Sequence, residues 1–346
     1  MSASWIAHAD RHWRCWFRDE DGIEPIEPFA IDALAAEDMP PTIEKFAALD
    51  SSGAATPLAA APFAATFRDD HGVRGAALRI DGPQGSSEFP FADPGATAPR
   101  TQTVDLAELG VKAGHTVRIV ALASDVPGLP FGLPALAASW QRTRQTESAP
   151  VSLDIVTPEE FLARLAAREL AWRQRFENVV REFGEARSGA TTVAAGKLAA
   201  TARRLRLEEL PPLLRKDAAE TRELAAAFAS AAAEVRHNRL PNSTAADRLD
   251  RQVARPLRQL ADETIPFRLA EAAACLASGA GAEADLALAR GMATLAAAAD
   301  AILRGMLKQE SFNELAGALR SLRDDQAEVA RRTREERKRR VLDLLK

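Results

Sequence analysis

The chain has 346 residues, 47% of them hydrophobic, with 45 Lys+Arg against 49 Asp+Glu for a net charge of −4. That length accommodates two domains, each with a real core. Cys15 and Cys275 are the only cysteines and sit far apart, which excludes a disulfide framework.

The charge is divided unevenly. Residues 1–157 hold 12 Lys+Arg against 21 Asp+Glu, and residues 158–346 hold 33 against 28. The last 16 residues alone hold 8 against 3, so the second part is nearly neutral apart from its end. There is no unbroken run of about 18 apolar residues, from which no membrane span is expected. The opening MSASWIAHADRHWRCWFRDEDG is too charged for the apolar region of a signal peptide.

Residues 1–40 read as a partial β-hairpin and a linker. Trp13, Cys15 and Phe17 alternate, Asp19-Glu20-Asp21-Gly22 makes a turn, Ile26 to Leu34 returns, and Met39-Pro40-Pro41 closes the segment. Residues 41–156 read as a β-domain. Short apolar runs at Ala64–Phe67, Ala76–Ile80, Val117–Ala121 and Leu153–Val156 are separated by turn signals. These are Asp69-Asp70-His71-Gly72, Asp81-Gly82-Pro83, Ala113-Gly114 and Asp125-Val126-Pro127. Phe17-Arg18-Asp19-Glu20-Asp21-Gly22-Ile23 echoes Phe67-Arg68-Asp69-Asp70-His71-Gly72-Val73, as tandem copies of one β-module would. With no tyrosine anywhere, a sandwich here lacks a tyrosine corner.

The joint is VSLDIVTPEEFLARL, Val151 to Leu165. Val151, Leu153 and Ile155 alternate as a last strand. Thr157, Pro158 and Glu160 then predict a helix start with a capping box. Leu162, Leu165, Trp172, Phe176, Val179 and Phe183 follow at spacings of three and four, an amphipathic helix of about seven turns. It is expected to end at Ser188-Gly189 and to use its aromatic seam as core.

About six helices are expected from Thr157 onward. One from about Thr191 is expected to break at Pro211-Pro212. The next carries Leu224, Phe228, Ala231 and Val235 and stops before Pro241-Asn242. A segment capped at Ser243 or Thr244 kinks at Pro256, and a short helix spans Pro266 to Leu276. Leu288, Met292, Leu295, Ala299, Ile302 and Met306 then alternate four and three. Finally Ser311 and Glu314 predict the start of a last helix carrying Phe312, Leu315, Leu319, Leu322 and Val329. This periodicity predicts long antiparallel coiled-coil packing.

The motif order DDHGV, DLAELGVKAGHTVRIVALASDVPG, VSLDIVTPEEFLARL, EVRHNRL, ARPLRQLADE and SFNELAGALRSLRDDQ, ahead of a basic helical end, resembles a known arrangement. It is similar to the C-terminal half of large uncharacterised envelope proteins of planctomycete-type bacteria. The resemblance covers roughly residues 13–346. It implies tandem bacterial immunoglobulin-like modules followed by a helical coiled-coil region, with a cell-envelope or periplasmic location. Its motifs are structural and transfer no catalytic residue. The chain lacks that family's membrane helices and most of one β-module, as a shortened relative or truncated frame would; a cytoplasmic protein is the alternative.

Candidate sites are few. His8, His12 and Cys15 have a zinc-like spacing but lack a fourth ligand. Asp19, Asp21, Asp38, Asp69, Asp70 and Asp125 sit at turns, where calcium ligation competes with ordinary turn chemistry. Arg331, Arg332, Arg334, Arg337, Lys338, Arg339 and Arg340 form a basic stretch for an anionic partner, or a solvated helix end. His237-Asn238-Arg239 lies at a helix end and reads as a site or as capping. Ser278-Gly279-Ala280-Gly281 lacks the strand and Lys-Ser of a phosphate loop. No G-x-S-x-G, H-E-x-x-H or C-x-x-C pattern occurs.

The expected fold is two-part, all-β plus all-α, with an Ig-like β-sandwich at 41–156 and a long-helix coiled-coil bundle at 157–346. The expected function is a non-enzymatic, envelope-associated scaffold with no cofactor and no metal, acting by protein partnership or self-association. The alternative is a cytoplasmic protein binding nucleic acid or an anionic surface through the basic stretch, with nucleic acid the less favoured partner. Nothing in the sequence identifies a small-molecule ligand.

Overall fold

Strands occupy the first part of the chain and helices the second, so the protein is mixed β and α. A computed structural model describes residues 10–16, 18, 20–24, 26–33, 39–50, 52–69, 73–93, 98–125, 144–240, 244–277 and 281–344. Two compact units form. One comprises Met1–Ala48, Phe63–Val104 and Val117–Ser152; the other comprises Leu49–Pro62, Asp105–Thr116 and Leu153–Lys346. This division differs from a single cut after Val156. Residues 49–62 and 105–116 of the expected β-domain belong to the unit that holds the helices, which sequence order alone does not reveal.

In the first unit, β1 (Arg11–Cys15) and β2 (Phe29–Ala33) pair antiparallel with Trp13 opposite Ile31. β3 (Thr42–Ala48), β5 (Ala60–Arg68) and β8 (Arg100–Asp105) form a three-stranded sheet. β6 (Gly75–Gly82) lies between β7 (Gly85–Pro90) and β9 (Thr116–Asp125), and β10 (Arg144–Glu147) pairs with the end of β9. β6 alternates, burying Ala76, Leu78 and Ile80. β9 is buried continuously from Ile119 to Ala123, the signature of a strand covered on both faces. Phe67 of β5 meets Phe91, the residue after β7, edge-to-face at 5.2 Å. The predicted turn at Asp81-Gly82-Pro83 joins β6 to β7, where Gly85 takes φ +117°, a value only glycine adopts easily.

In the second unit, β4 (Ala54–Ala55) runs parallel to β11 (Val151–Ile155), with Ile155 opposite Ala55. Helix α1 (Pro158–Ala194) follows. Thr157 caps it by accepting from the Glu160 N–H at 3.1 Å, as predicted. The reciprocal half of the capping box does not form, because Glu160 turns to Arg164 at 2.7 Å. α1 also runs past Ser188-Gly189. Thr191 and Thr192 fold their hydroxyls onto the carbonyls of Arg187 and Ser188, and the helix stops only before Gly196, at φ +66°.

α2 (Ala200–His237) is one helix of 38 residues, so the expected break at Pro211-Pro212 is absent. The prolines leave the Leu207 and Glu208 carbonyls without helical donors. Burial of Leu207, Leu210, Pro211 and Leu214 outweighs that loss. The next segment is continuous. α3 (Thr244–Asp247), a π-helical stretch Arg248–Ala254, α4 (Arg255–Gln259), a second π-helical stretch Leu260–Thr264 and α5 (Ile265–Ala277) follow without a gap. Each π stretch precedes a proline, Pro256 or Pro266. Widening the helix there relieves the ring's clash with the carbonyl behind it.

α6 (Ala282–Leu344) is a single helix of 63 residues, so Ser311 starts nothing new. No glycine or proline lies between Met306 and Ser311 to stop it. Its first half joins the core, where Leu288, Met292, Leu295 and Ala299 pack with Phe176, Phe183, Phe228 and Leu257 in one cluster. Within Ala282–Lys308 the helix is long and apolar enough to cross a membrane by length and composition, reaching mean hydropathy 1.5 over an 18-residue window. The expectation of no span rested on unbroken runs, and Arg290 and Asp300 interrupt this one. One apolar stripe of the stretch is already buried in the protein core.

Candidate functional site

A polar cluster of the helical unit gathers at the end of α2. His237, Asn238 and Arg239, adjacent in sequence, each bind a different group on residues 49–62 or 105–116 of the same unit. His237 Nδ1 lies 2.8 Å from Asp50 Oδ1. The Asn238 side-chain carbonyl accepts from the Thr56 N–H at 2.6 Å, its backbone carbonyl accepts from the Thr56 hydroxyl at 2.8 Å, and its amide donates to the Glu234 carbonyl at 2.8 Å. Arg239, held at φ +47°, donates to Asp105 at 2.8 Å. Asp105 also caps a 3-10 helix, Leu106–Leu109, through the Ala107 N–H.

The electrostatics follow from these contacts. Burial pushes the Asp50 carboxyl up, opposed by His237. The Arg239 guanidinium and the Ala107 N–H hold Asp105 below the ordinary carboxylate range. Glu234, fully buried, receives both arms of Arg168 at 2.6 and 3.2 Å. Arg168 in turn stacks 4.9 Å from the Trp172 ring centre, and Trp172 meets Phe228 edge-to-face at 5.0 Å. The expected aromatic seam of α1 is therefore core, with Phe176 and Phe183 fully buried.

Two concavities of this unit are lined by described residues. The larger, about 1360 Å³, is an open apolar trough lined by Val193, Leu198, Leu207, Pro211, Leu269 and Leu276. Its charged lining is largely self-compensated: Arg203 grips Asp285 at 2.6 and 2.8 Å, and Arg204 binds Glu208 at 2.7 Å. Nearby Cys275 is buried, which raises its thiol and keeps it inert. The smaller, about 310 Å³, is bordered by α1 and α2 and lined by Arg175, Asn178, Glu182, Lys216, Asp217 and Glu220. Asp217 is fully buried and neither of its carboxyl oxygens meets a donor.

The residues singled out in the sequence fall differently. His8 lies outside the described residues, and His12 is engaged by Asp32 at 2.6 Å across the β1–β2 hairpin. Of the turn aspartates, Asp19, Asp38 and Asp70 lie outside the described residues, and Asp21 is exposed. The Asp125 backbone pairs with Arg144 in β9–β10. Among the described residues no group of three His, Cys, Asp or Glu side chains is placed to hold a metal ion.

Arg331, Arg332 and Arg334 are exposed on α6. Arg331 and Arg332 both bind Glu328 within their own helix, at 2.8 to 3.0 Å. The side chains of Arg337, Lys338, Arg339 and Arg340 lie outside the described residues, as does the loop of Ser278, Gly279 and Ala280.

Sequence reasoning missed Asp50, Thr56, Asp105 and Asp217. The first two are loop residues and the third ends β8; their partners come from the far end of α2, and no local pattern signals such a contact. Asp217 carried one readable signal, an acid on the apolar face between Leu214 and Thr221. Taken together, these groups fasten, cap and pair. No protein-family model matches the chain, and neither a curated protein nor a solved structure matches it.

Proposed function

We propose that this chain is a non-enzymatic, envelope-associated scaffold, and that the outer part of α6 docks a second copy of the same chain. The observation that carries this reading is the reach of that helix. Its 63 residues span about 95 Å at 1.5 Å per residue. Met306 is buried, and the side chains of residues 309–324 lie outside the described residues. Beyond these, Asp325, Gln326 and Ala330 to Glu336 are exposed, and Val329 is 62% exposed.

Helices in proteins draw most of their stability from a covered apolar face. The sequence supplies such a seam at Phe312, Leu315, Leu319, Leu322 and Val329, spaced by threes, fours and one heptad. Charge order supports an antiparallel second copy. Asp324, Asp325 and Glu328 precede the basic run from Arg331, so two reversed copies set unlike charges against each other.

In this reading the two sheets are an Ig-like β-sandwich and the helices a long-helix coiled-coil bundle. The motif resemblance to planctomycete-type envelope proteins supplies the location. Sedimentation equilibrium of the full chain tests the proposal. A dimer that dissociates on Leu319→Glu with Leu322→Glu is the expected result. A chain that stays monomeric at high concentration ends it.

A further inference from the structure

Asp217 on α2 presents a problem of donors. Both of its oxygens are buried without a donor, and the side chain that reaches it is the Glu182 carboxylate from α1. Two carboxylates are both acceptors when ionised, so they hydrogen-bond only if one keeps its proton. Lys216 is already committed, with Nζ 2.7 Å from each Glu182 oxygen. The next cation, Arg175, is committed to Glu220 at 2.7 Å and to Glu223 at 3.1 Å. Arg181 also lines the cavity and reaches Glu185 and Asn178. From the π-helical stretch Leu260–Thr264, Asp262 faces Arg222 and binds it at 2.9 Å. The cluster thus holds one positive charge for the Glu182–Asp217 pair.

We infer that Glu182 and Asp217 share a single proton across the α1–α2 contact, forming a latch that loosens when alkali removes that proton. With the proton in place, Asp217 donates to Glu182 and the pair carries one negative charge, matched by Lys216. Without it, two carboxylates abut in a buried site with no further donor. The 310 Å³ cavity beside them gives hydroxide and water a route in.

Burial, and secondarily Glu182, push the Asp217 carboxyl up to about 8 from its ordinary 3.8. Such a raised acid makes folding weaken as pH rises between those two values. There the unfolded chain has released a proton that the folded chain still holds. Above the raised value both states have lost it and the dependence ends.

The test compares full-length protein with Asp217→Asn, whose amide donates to Glu182 at every pH. Helical circular dichroism during urea unfolding reads the helical unit. The folding equilibrium constant of the native protein, relative to the variant, is expected to fall by up to tenfold per pH unit from ordinary carboxylate pH, levelling near pH 8. A ratio that does not change with pH overturns the latch. If Asp217→Asn fails to fold, infrared titration of the protonated carboxyl band in native protein and Glu182→Gln decides. The band is expected to persist at neutral pH in native protein and to titrate at lower pH in Glu182→Gln. A band absent at neutral pH, or a midpoint unmoved by Glu182→Gln, overturns it equally.

Discussion

Thr56 and Asn238, 182 residues apart, are joined by two hydrogen bonds: Thr56 N–H to the Asn238 side-chain carbonyl at 2.6 Å, and Thr56 hydroxyl to the Asn238 main-chain carbonyl at 2.8 Å. Both residues are almost wholly buried. Asn238→Ala strips the acceptor from the Thr56 N–H, and an orphaned buried donor costs about 1–3 kcal/mol. Urea unfolding of the helical unit should show a loss of that size. Thr56→Val, which removes only the hydroxyl and its bond, should cost less.

The Arg168–Glu234 pair predicts an asymmetric response. Glu234 is fully buried, whereas the Arg168 side chain is 26% exposed. Removing the cation takes its two-armed partner from a buried carboxylate, so Arg168→Ala should destabilise by up to about 3–5 kcal/mol. Glu234→Gln leaves the arginine partly in water and should cost less. Equal losses in denaturant unfolding would show that packing against Trp172, rather than charge, dominates the site.

At Asp105 the folded-state carboxyl is lowered by Arg239 and by the Ala107 N–H. The sign follows from linkage. The contribution is present above the ordinary carboxylate range and is lost as pH falls through the lowered folded value. Arg239→Ala should therefore reduce acid sensitivity in that range, seen as a shallower loss of stability with falling pH.

Pro212 is exposed inside α2. Pro212→Ala restores a donor to the Glu208 carbonyl and replaces the poorest helix former with the best. Stability should rise, by up to about 3 kcal/mol. A fall in the thermal midpoint would mean the proline-imposed backbone is required by the buried Leu207–Leu214 face.

The basic stretch has its own test. Replacing Arg331, Arg332 and Arg334 with glutamine should leave folding unchanged, because all three are exposed. If the chain binds anionic vesicles at low salt, the triple variant should bind more weakly, with a smaller salt dependence. Vesicle co-sedimentation across a salt series reads both effects.

The elements whose cause is local were legible in the sequence. The alternation of Val151, Leu153 and Ile155, the cap at Thr157 and the turn at Asp81-Gly82-Pro83 each depend on neighbours a few residues away, so their spacing sufficed. Core positions such as Phe176, Phe183 and Met292 were legible for the same reason, since helical period marks one face. The tertiary structure decided what competes with local preference. Buried apolar contact carried α2 through Pro211-Pro212, and helix widening carried the chain past Pro256 and Pro266, against what proline predicts alone. It also decided every polar partnership across long sequence distance. His237, Asn238 and Arg239 had donors and acceptors visible in the sequence, but Asp50, Thr56 and Asp105 reach them only because folding brings two distant segments to one helix end. The shared acid pair of Glu182 and Asp217 arises in the same way, from the packing of one helix on another.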